Sequence, residues 1–395
     1  MLVVVAPGQG SQVPGFLTPW LELPDVADRL RWLSTVSGVD LIKHGTESDA
    51  DTIRDTAVAQ PLLVGAGLVT LLSLFPQPSS GFGLVGAGAG HSVGEITAAA
   101  ASGVITAEQA MVFVRERGRA MAEASALTPT GMSAVLGGDA DEVVAAATRH
   151  GLTAANINGA GQIVVAGTLP ELAAFAADPP AKARVRPLQV AGAFHTHHMA
   201  SAVDLLASYA RSITVHDPRT RLISNADGTI VHHGREVLAR LVSQVSNPVR
   251  WDLCMATMAD LGVTAVLEIP PAGTLTGLVK RALPGVETLA VGGPDDLEAA
   301  RDLIARHASD SPIDTGPTWR LLVAPAKGTF RLDEGSPTGT DLTPGARVGS
   351  VVNLRDELAV TAPHGGRIVE WLVEDGDPVS PGQPLVRLHP EAVHV

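Results

Sequence analysis

The chain has 395 residues, more than one ordinary domain, and 45% of them are apolar but only 3% aromatic, which predicts two or three compact units with cores of Ala, Val and Leu. A formal net charge of −13 sets it against nonspecific binding of nucleic acid or of anionic membrane surfaces. The single cysteine, Cys254, excludes an internal disulfide and fits a reducing compartment, so a cytoplasmic location is expected.

Leu2 to Ala6 is a short β-branched run closed by Pro7-Gly8-Gln9-Gly10-Ser11-Gln12, read as a buried strand ending in a glycine turn. It is too short for a signal peptide or a membrane span. Apolar helical runs, Pro61 to Leu74 and Ala107 to Ala122, flank the hexapeptide Gly90-His91-Ser92-Val93-Gly94-Glu95. Residues 128–190 then read as strand (Gly131 to Gly137), helix (Asp141 to His150), strand (Ile163 to Gly167), helix (Leu169 to Ala177) and strand (Ala183 to Leu188), a small α+β insertion. Alternation of α and β resumes with strands at Arg221 to Ser224 and Thr264 to Ile269 and a helix containing Leu253 to Asp260. Asp310 to Pro317 is rich in turn formers, and a linker is expected over 301–317. Beyond it an internal repeat appears: Ala324-Pro325-x-x-Gly328 leads to Thr343-Pro344-Gly345, and Ala362-Pro363-x-x-Gly366 leads to Ser380-Pro381-Gly382. Two such halves predict a pseudo-symmetric all-β domain over 318–395.

The strongest chemical signal is Ser92. It stands between two glycines, after a small-residue strand-like run and before Val93 to Ala101, a good helix former. That is the pattern of a nucleophile elbow, in which a sharp turn exposes the hydroxyl and a helix dipole faces the oxyanion it creates. A serine nucleophile needs a base. Ala191-Gly192-Ala193-Phe194-His195-Thr196-His197-His198-Met199 offers three imidazoles, and spacing alone does not choose among His195, His197 and His198. No metal site is expected.

Four separated motifs together give residues 1–300 a resemblance to the malonyl-CoA:acyl carrier protein transacylases of fatty-acid and polyketide synthesis. They are Pro7 to Gln12, Gly90 to Glu95, Gly192-Ala193-Phe194-His195 and Asn247-Pro248-Val249-Arg250-Trp251. The resemblance implies an α/β fold, with an α/β-hydrolase-like large subdomain over 1–127 and 191–300 and a ferredoxin-like small subdomain over 128–190. It implies ping-pong transfer of malonyl from malonyl-CoA to the phosphopantetheine thiol of acyl carrier protein, through a malonyl-serine at Ser92. His195 is then the base, the Gln244 carbonyl orients its ring, and the backbone amides of Gln9 and Val93 form the oxyanion hole. Arg117 is implied as the grip on the malonyl carboxylate, with His91 and Asn156 supporting the substrate site and Phe194 favouring malonyl over methylmalonyl. The coenzyme A thioester is substrate, and no cofactor is expected to be bound covalently. An acidic carrier protein needs local positive charge, for which Lys182, Arg184, Arg186, Arg250, Lys280 and Arg281 are candidates.

The tail resembles the biotinyl/lipoyl-carrier fold, an all-β barrel-sandwich whose attachment lysine lies at the tip of the hairpin joining its halves. Here that stretch reads Val352-Asn353-Leu354-Arg355-Asp356-Glu357, with Arg355 at the lysine position. A tail without prosthetic group is expected, serving as an interaction module for a carboxylase or synthase partner. Two other readings compete. An esterase or thioesterase would use the Ser92 elbow and a downstream histidine, but leaves Arg117 and the Gln9 motif unexplained. A scaffold with a vestigial acyltransferase body leaves Ser92, His195 and Arg117 intact without a use.

Overall fold

Strand β1 (Leu2–Ala6) is buried along its whole length, and its alternation divides the core. Leu2, Val4 and Ala6 enter the main hydrophobic cluster, while Val3 and Val5 enter a second cluster on the opposite face. Burial on both faces is the condition of a parallel sheet. β1 pairs in parallel with β2 (Ala87–Gly90) and with β10 (Ala265–Glu268). The six-stranded sheet runs β11 (Glu287–Ala290), β10, β1, β2, β7 (Arg221–Ile223), β8 (Ile230–Val231), and only the β7–β8 pair is antiparallel. The structure, a computed structural model, describes residues 1–77, 81, 83–190, 192–308, 320–333, 335–363 and 365–389, in two units, Met1–Ile313 and Asp314–Val395.

In the first unit one sheet face is covered by α1 (Val26–Ser37), α2 (Leu41–Thr46), α3 (Thr56–Leu74), α4 (Gly94–Ala101), α5 (Ala107–Leu127), α8 (Ala200–Ala210), α9 (Gly234–Ser243) and α12 (Leu297–His307). The other face is covered by α10 (Trp251–Asp260) and α11 (Thr274–Ala282). Helix α3 is long and apolar enough to cross a membrane, yet 72% of its most apolar window is buried, so it serves as a core helix.

Between α5 and α8 the chain forms β3 (Thr130–Gly137), α6 (Ala140–Arg149), β4 (Thr153–Gly159), β5 (Gln162–Thr168), α7 (Leu169–Ala177) and β6 (Ala183–Pro187). The sheet order is β6, β3, β5, β4, with antiparallel pairs throughout, a split strand–helix–strand arrangement. On its helix-covered face Val135, Ile163 and Val165 pack with Val143 of α6 and Phe175 of α7 in a cluster of their own.

Two boundaries differ from expectation. A fifth strand, β9 (Val249–Arg250), pairs in parallel with β4 through Asn156 and Ile157, so the small sheet is completed by residues far outside 128–190. The expected linker cannot begin at 301, because α12 runs to His307 and buries Leu303 and Ile304 in the main core. The remainder of that linker from 309 onward lies outside the described residues, as do 318–319 and 390–395 of the expected tail domain.

The second unit is β-rich. Its strands are β12 (Arg320–Val323), β13 (Gly328–Leu332), β14 (Asp341–Leu342), β15 (Ala346–Val352), β16 (Glu357–Ala362), β17 (Gly366–Trp371), β18 (Pro378–Val379) and β19 (Pro384–His389). They form two antiparallel four-stranded sheets, β12-β19-β17-β14 and β16-β15-β13-β18. Exchanging β12–β15 with β16–β19 turns the order of one sheet into that of the other. The core repeats in step: Leu322 with Val360, Ala324 with Ala362, Phe330 with Ile368, Val348 with Val386.

Candidate active site

Ser92 lies two residues beyond β2 and just ahead of α4. Its φ of 53° is left-handed, the sharp turn that lifts a nucleophile off the end of a strand. Close approach dictates the flanking glycines. A Cβ on Gly90 would lie 2.0 Å from the Gly94 carbonyl carbon, and one on Gly94 would lie 2.2 Å from the Ala6 oxygen. Because β1 and β2 are parallel neighbours with Ala6 opposite Gly90, the loop after β1 and the elbow leave the sheet at the same end. They touch there: the His91 amide donates to Ala6 O at 2.9 Å, and a Cβ on Gly8 would lie 2.9 Å from His91 O. Gln9, next in that loop, is tied by its side-chain amide to Arg54 O at 3.1 Å. Val93 is the N-cap residue of α4.

Of the three histidines in the cluster, only His195 reaches Ser92. His197 is exposed, and its ring lies beside that of His198, with centroids 4.1 Å apart. His195 is buried and also holds a positive φ, 61°. Its Nδ1 donates to the backbone carbonyl of Gln244 at 2.7 Å. A carbonyl can only accept, so Nδ1 carries the proton and the Nε2 lone pair faces Ser92 Oγ, 2.7 Å away. Burial first, then the charge of Arg117, hold His195 down to about 3, so the imidazole is neutral and free to accept a proton at neutral pH.

Arg117, on α5, is 1% exposed. Nη1 donates to Gln60 Oε1 at 2.7 Å, and Nη2 donates to Gln244 Oε1 at 2.8 Å and to Ser92 Oγ at 3.3 Å. Burial lowers it to about 10, which leaves the guanidinium charged at neutral pH. A buried cation held beside a serine hydroxyl is a receptor for a carboxylate on whatever acyl group the serine takes.

His91 is bonded through Nε2 to Asn158 Oδ1 at 2.8 Å and packs edge-on against Trp251, with centroids 5.7 Å apart. Burial lowers its pKa. Asn156, its expected companion, makes no such contact; its Oδ1 is buried without a partner among the described residues. Phe194 is 6% exposed, part of the main cluster.

Four further side chains complete the site and were not singled out from the sequence. Gln60 and Asn158 hold Arg117 and His91. Asn225, two residues beyond β7, accepts from Ser92 N at 2.8 Å and donates to Gly90 O at 2.7 Å, bracing the chain as it enters the elbow. Glu95 accepts from the Asn225 amide at 2.7 Å and from Gln244 Nε2.

The expected docking cations separate. Arg250 is held by a two-point contact to Asp252, at 2.9 and 2.8 Å. Lys182, Arg184 and Arg186 are exposed on or beside β6, the outer strand of the small sheet. Arg186 pairs across to Ala134 and on to Val164, a member of the main cluster, so it shares the sheet face turned away from α6 and α7. Lys280 and Arg281 are exposed in the last turn of α11.

Residues 3–298 match the family model described as an acyl transferase domain. The chain is 50% identical over 308 residues to the malonyl CoA-acyl carrier protein transacylase of Mycobacterium tuberculosis, covering 77% of this chain and all of the relative. The crystal structure of the Mycobacterium tuberculosis enzyme superposes with a TM-score of 0.74, over 76% of this chain and 99% of that one, at 50% identity. A malonyl-transacylase solved in complex with its type II polyketide acyl carrier protein matches with a TM-score of 0.70 at 30% identity, over 76% of this chain and 99% of that one.

Proposed function

The chain belongs to the malonyl-CoA:acyl carrier protein transacylase family, and on that premise we propose that Ser92 carries the malonyl group between two thiols. The protein transfers malonyl from malonyl-CoA to acyl carrier protein, supplying fatty-acid or polyketide synthesis. In the first half-reaction Ser92 Oγ attacks the thioester carbonyl as its proton passes to His195 Nε2. The tetrahedral oxyanion rests on the backbone amides of Gln9 and Val93, each such donor contributing about 3 kcal/mol. The C–S bond breaks, and the leaving thiolate takes the proton from His195, giving free coenzyme A and malonyl-Ser92. In the second half, the carrier's phosphopantetheine thiol gives its proton to Nε2 and its sulfur attacks the ester. Oγ departs and recovers the proton.

The single observation that carries this reading is the Arg117 guanidinium 3.3 Å from Ser92 Oγ, which is itself 2.7 Å from His195 Nε2. A cation so close to the nucleophile selects an acyl group that bears its own carboxylate. Gln244 orients the ring of His195. Asn156, with its unpartnered amide oxygen, and His91 line the substrate site, and the Phe194 ring opposes a methyl branch, a discrimination of about 1–3 kcal/mol. The acidic carrier docks along Lys182, Arg184 and Arg186, supported by their exposure on an outer strand, with Lys280 and Arg281 adding charge. The large and small parts of the first unit are read as α/β-hydrolase-like and ferredoxin-like subdomains.

The tail is read as a biotinyl/lipoyl-like barrel-sandwich without a prosthetic group, docking a carboxylase or synthase. Its support is the exchange symmetry of its two sheets, and Arg355 at the tip of the β15–β16 hairpin, where the amides of Arg355 and Asp356 donate to Asn353 Oδ1. A guanidinium does not form the amide that a carrier lysine forms. The buried, inert thiol of Cys254 suits a reducing cytoplasm.

Intact mass after brief exposure to malonyl-CoA, followed by addition of holo acyl carrier protein, tests the reading. Malonyl should appear on the protein, vanish with Ser92→Ala, and move to the carrier. Hydrolysis without transfer would place the protein among thioesterases instead.

A further inference from the structure

The buried carboxylate of Glu95 lies behind the catalytic groups, touching neither Ser92 Oγ nor His195, yet both residues that hold those groups donate to it, Asn225 through its backbone N–H and Gln244 through its side-chain nitrogen. We propose that Glu95 is a positioning residue for malonyl selection, which acts by fixing the side-chain amide of Gln244. The inference rests on the reading of Arg117 as the carboxylate grip.

Gln244 is the junction of the site. Its backbone carbonyl accepts from His195 Nδ1, and its side-chain oxygen accepts from Arg117 Nη2. Its side-chain nitrogen donates to Glu95 Oε2 and approaches Ser92 O at 3.1 Å and Asn225 Oδ1 at 3.2 Å. A guanidinium has donors only, so the Gln244 oxygen must face Arg117 and the nitrogen must face Glu95. The second oxygen of Glu95 meets another donor, the Asn225 amide, at 2.7 Å. Two N–H groups thus converge on two oxygens, and only a side chain that accepts at both positions satisfies them. Arg117 supplies the compensating positive charge. An acid in the first turn of α4 also suits the helix dipole, but that role needs neither Gln244 nor the second oxygen.

Glu95→Gln preserves shape and removes one acceptor. The new amide nitrogen then faces either Asn225 N or Gln244 Nε2. Turning Gln244 over to relieve the second clash presents its nitrogen to Arg117, displacing the guanidinium from the pose that receives malonyl. Acetyl loading does not use that pose.

The test compares loading of Ser92 from malonyl-CoA and from acetyl-CoA in wild type, Glu95→Gln, Gln244→Met and the double variant. Glu95→Gln should lower the malonyl-to-acetyl ratio of kcat/KM by about tenfold or more, the double variant should lower it no further than the stronger single one, and Glu95→Asp should recover part of the loss. Equal falls for both acyl groups, an unchanged ratio, or effects that multiply in the double variant would overturn the proposal. Gln244→Met keeps the link testable if Glu95→Gln does not fold, because an unchanged ratio there overturns it equally. Arg117→Ala is the control: if it too leaves the ratio unchanged, the carboxylate grip itself is wrong, whereas a fall there without one in Glu95→Gln removes Glu95 alone.

Discussion

Ser92 and His195 meet at 2.7 Å with both residues in the left-handed backbone region, at φ of 53° and 61°. Neither is glycine, so each conformation costs about 1–3 kcal/mol and persists only because the surroundings enforce it. For Ser92 the enforcement comes from Asn225, which grips the backbone ahead of the turn at Gly90 O and Ser92 N, and from Gln244 Nε2, 3.1 Å from Ser92 O. For His195 it comes from the bond of its own amide to Val245 O at 3.1 Å and of its ring to Gln244 O. The Ser92–His195 contact is therefore held by the protein itself.

Removing either partner should separate acylation from binding. Ser92→Ala should leave no acyl adduct by intact mass, and His195→Ala should slow loading by about 10²–10⁴-fold, the usual worth of a positioned general base. A His195→Ala variant that loads at the wild-type rate would assign the base elsewhere.

The brace predicts a similar loss from a residue bonded to neither Ser92 Oγ nor the His195 ring. Asn225→Ala leaves Ser92 N and Gly90 O without their partner in a buried site, a loss of about 1–3 kcal/mol per unsatisfied group. Thermal unfolding should shift down by several degrees, and loading should fall with no change in the malonyl-to-acetyl ratio. A changed ratio would mean that Asn225 acts through Arg117 rather than through the elbow.

The elbow and its histidine are legible in sequence because sharp turns need glycine and the motif is local. Their partners are not: Asn225 is 133 residues from Ser92 and lies in an unremarkable polar stretch, so only the pairing of β2 with β7 brings them together. Gln60 did carry a signal. It is an amide within the apolar helix Thr56–Leu74, and a buried polar side chain demands a partner. The fold divides likewise. The repeat in the tail and the alternation over 128–190 are local patterns, whereas the contribution of Val249–Arg250 to the small sheet depends on a long-range pairing.

Arg117→Ala should lower malonyl kcat/KM by about 10–100-fold, the loss of a charge-assisted contact, with acetyl loading much less affected. Arg117→Lys should not restore it, because the guanidinium is held as a fork by Gln60 on one nitrogen and Gln244 on the other, a geometry an ammonium cannot match. Steady-state kinetics with both thioesters decide between these outcomes.

The pH dependence of loading should come from Glu95 and not from the His195 imidazole. His195 stays neutral down to about 3, so its base form is fully populated throughout the working range. Burial pushes Glu95 up to about 7, against hydrogen bonds from Asn225 and Gln244 and the charges of Arg117 and Arg240. Cys254 also faces it but is itself pushed up by burial and stays neutral. Helix α3 and strands β1 and β2, which also pack on α4, contain no titratable residue. As pH falls through about 7 the carboxylate gains a proton, loses one of its two acceptors, and the Gln244 amide is released. Malonyl loading should therefore decline below that pH in the wild type, and Glu95→Gln should start low and lose this limb. An unchanged limb in the variant would return the titration to another group.

Every residue of the three hydrophobic clusters in the first unit lies at or before Ile304, and the relative from Mycobacterium tuberculosis is matched over its whole length by 77% of this chain. A chain ending at 308 should keep its fold and load malonyl within about twofold of the full protein, as a domain with its own core does. The full chain, expressed beside a biotin ligase, should show no added mass. Arg355 occupies the hairpin tip, and Lys327, the lysine of this unit, sits in the turn between β12 and β13, away from that hairpin. An adduct mapped to Lys327 would make the tail a carrier after all. Loss of malonyl loading in the shortened chain would instead make the tail part of the enzyme's working structure.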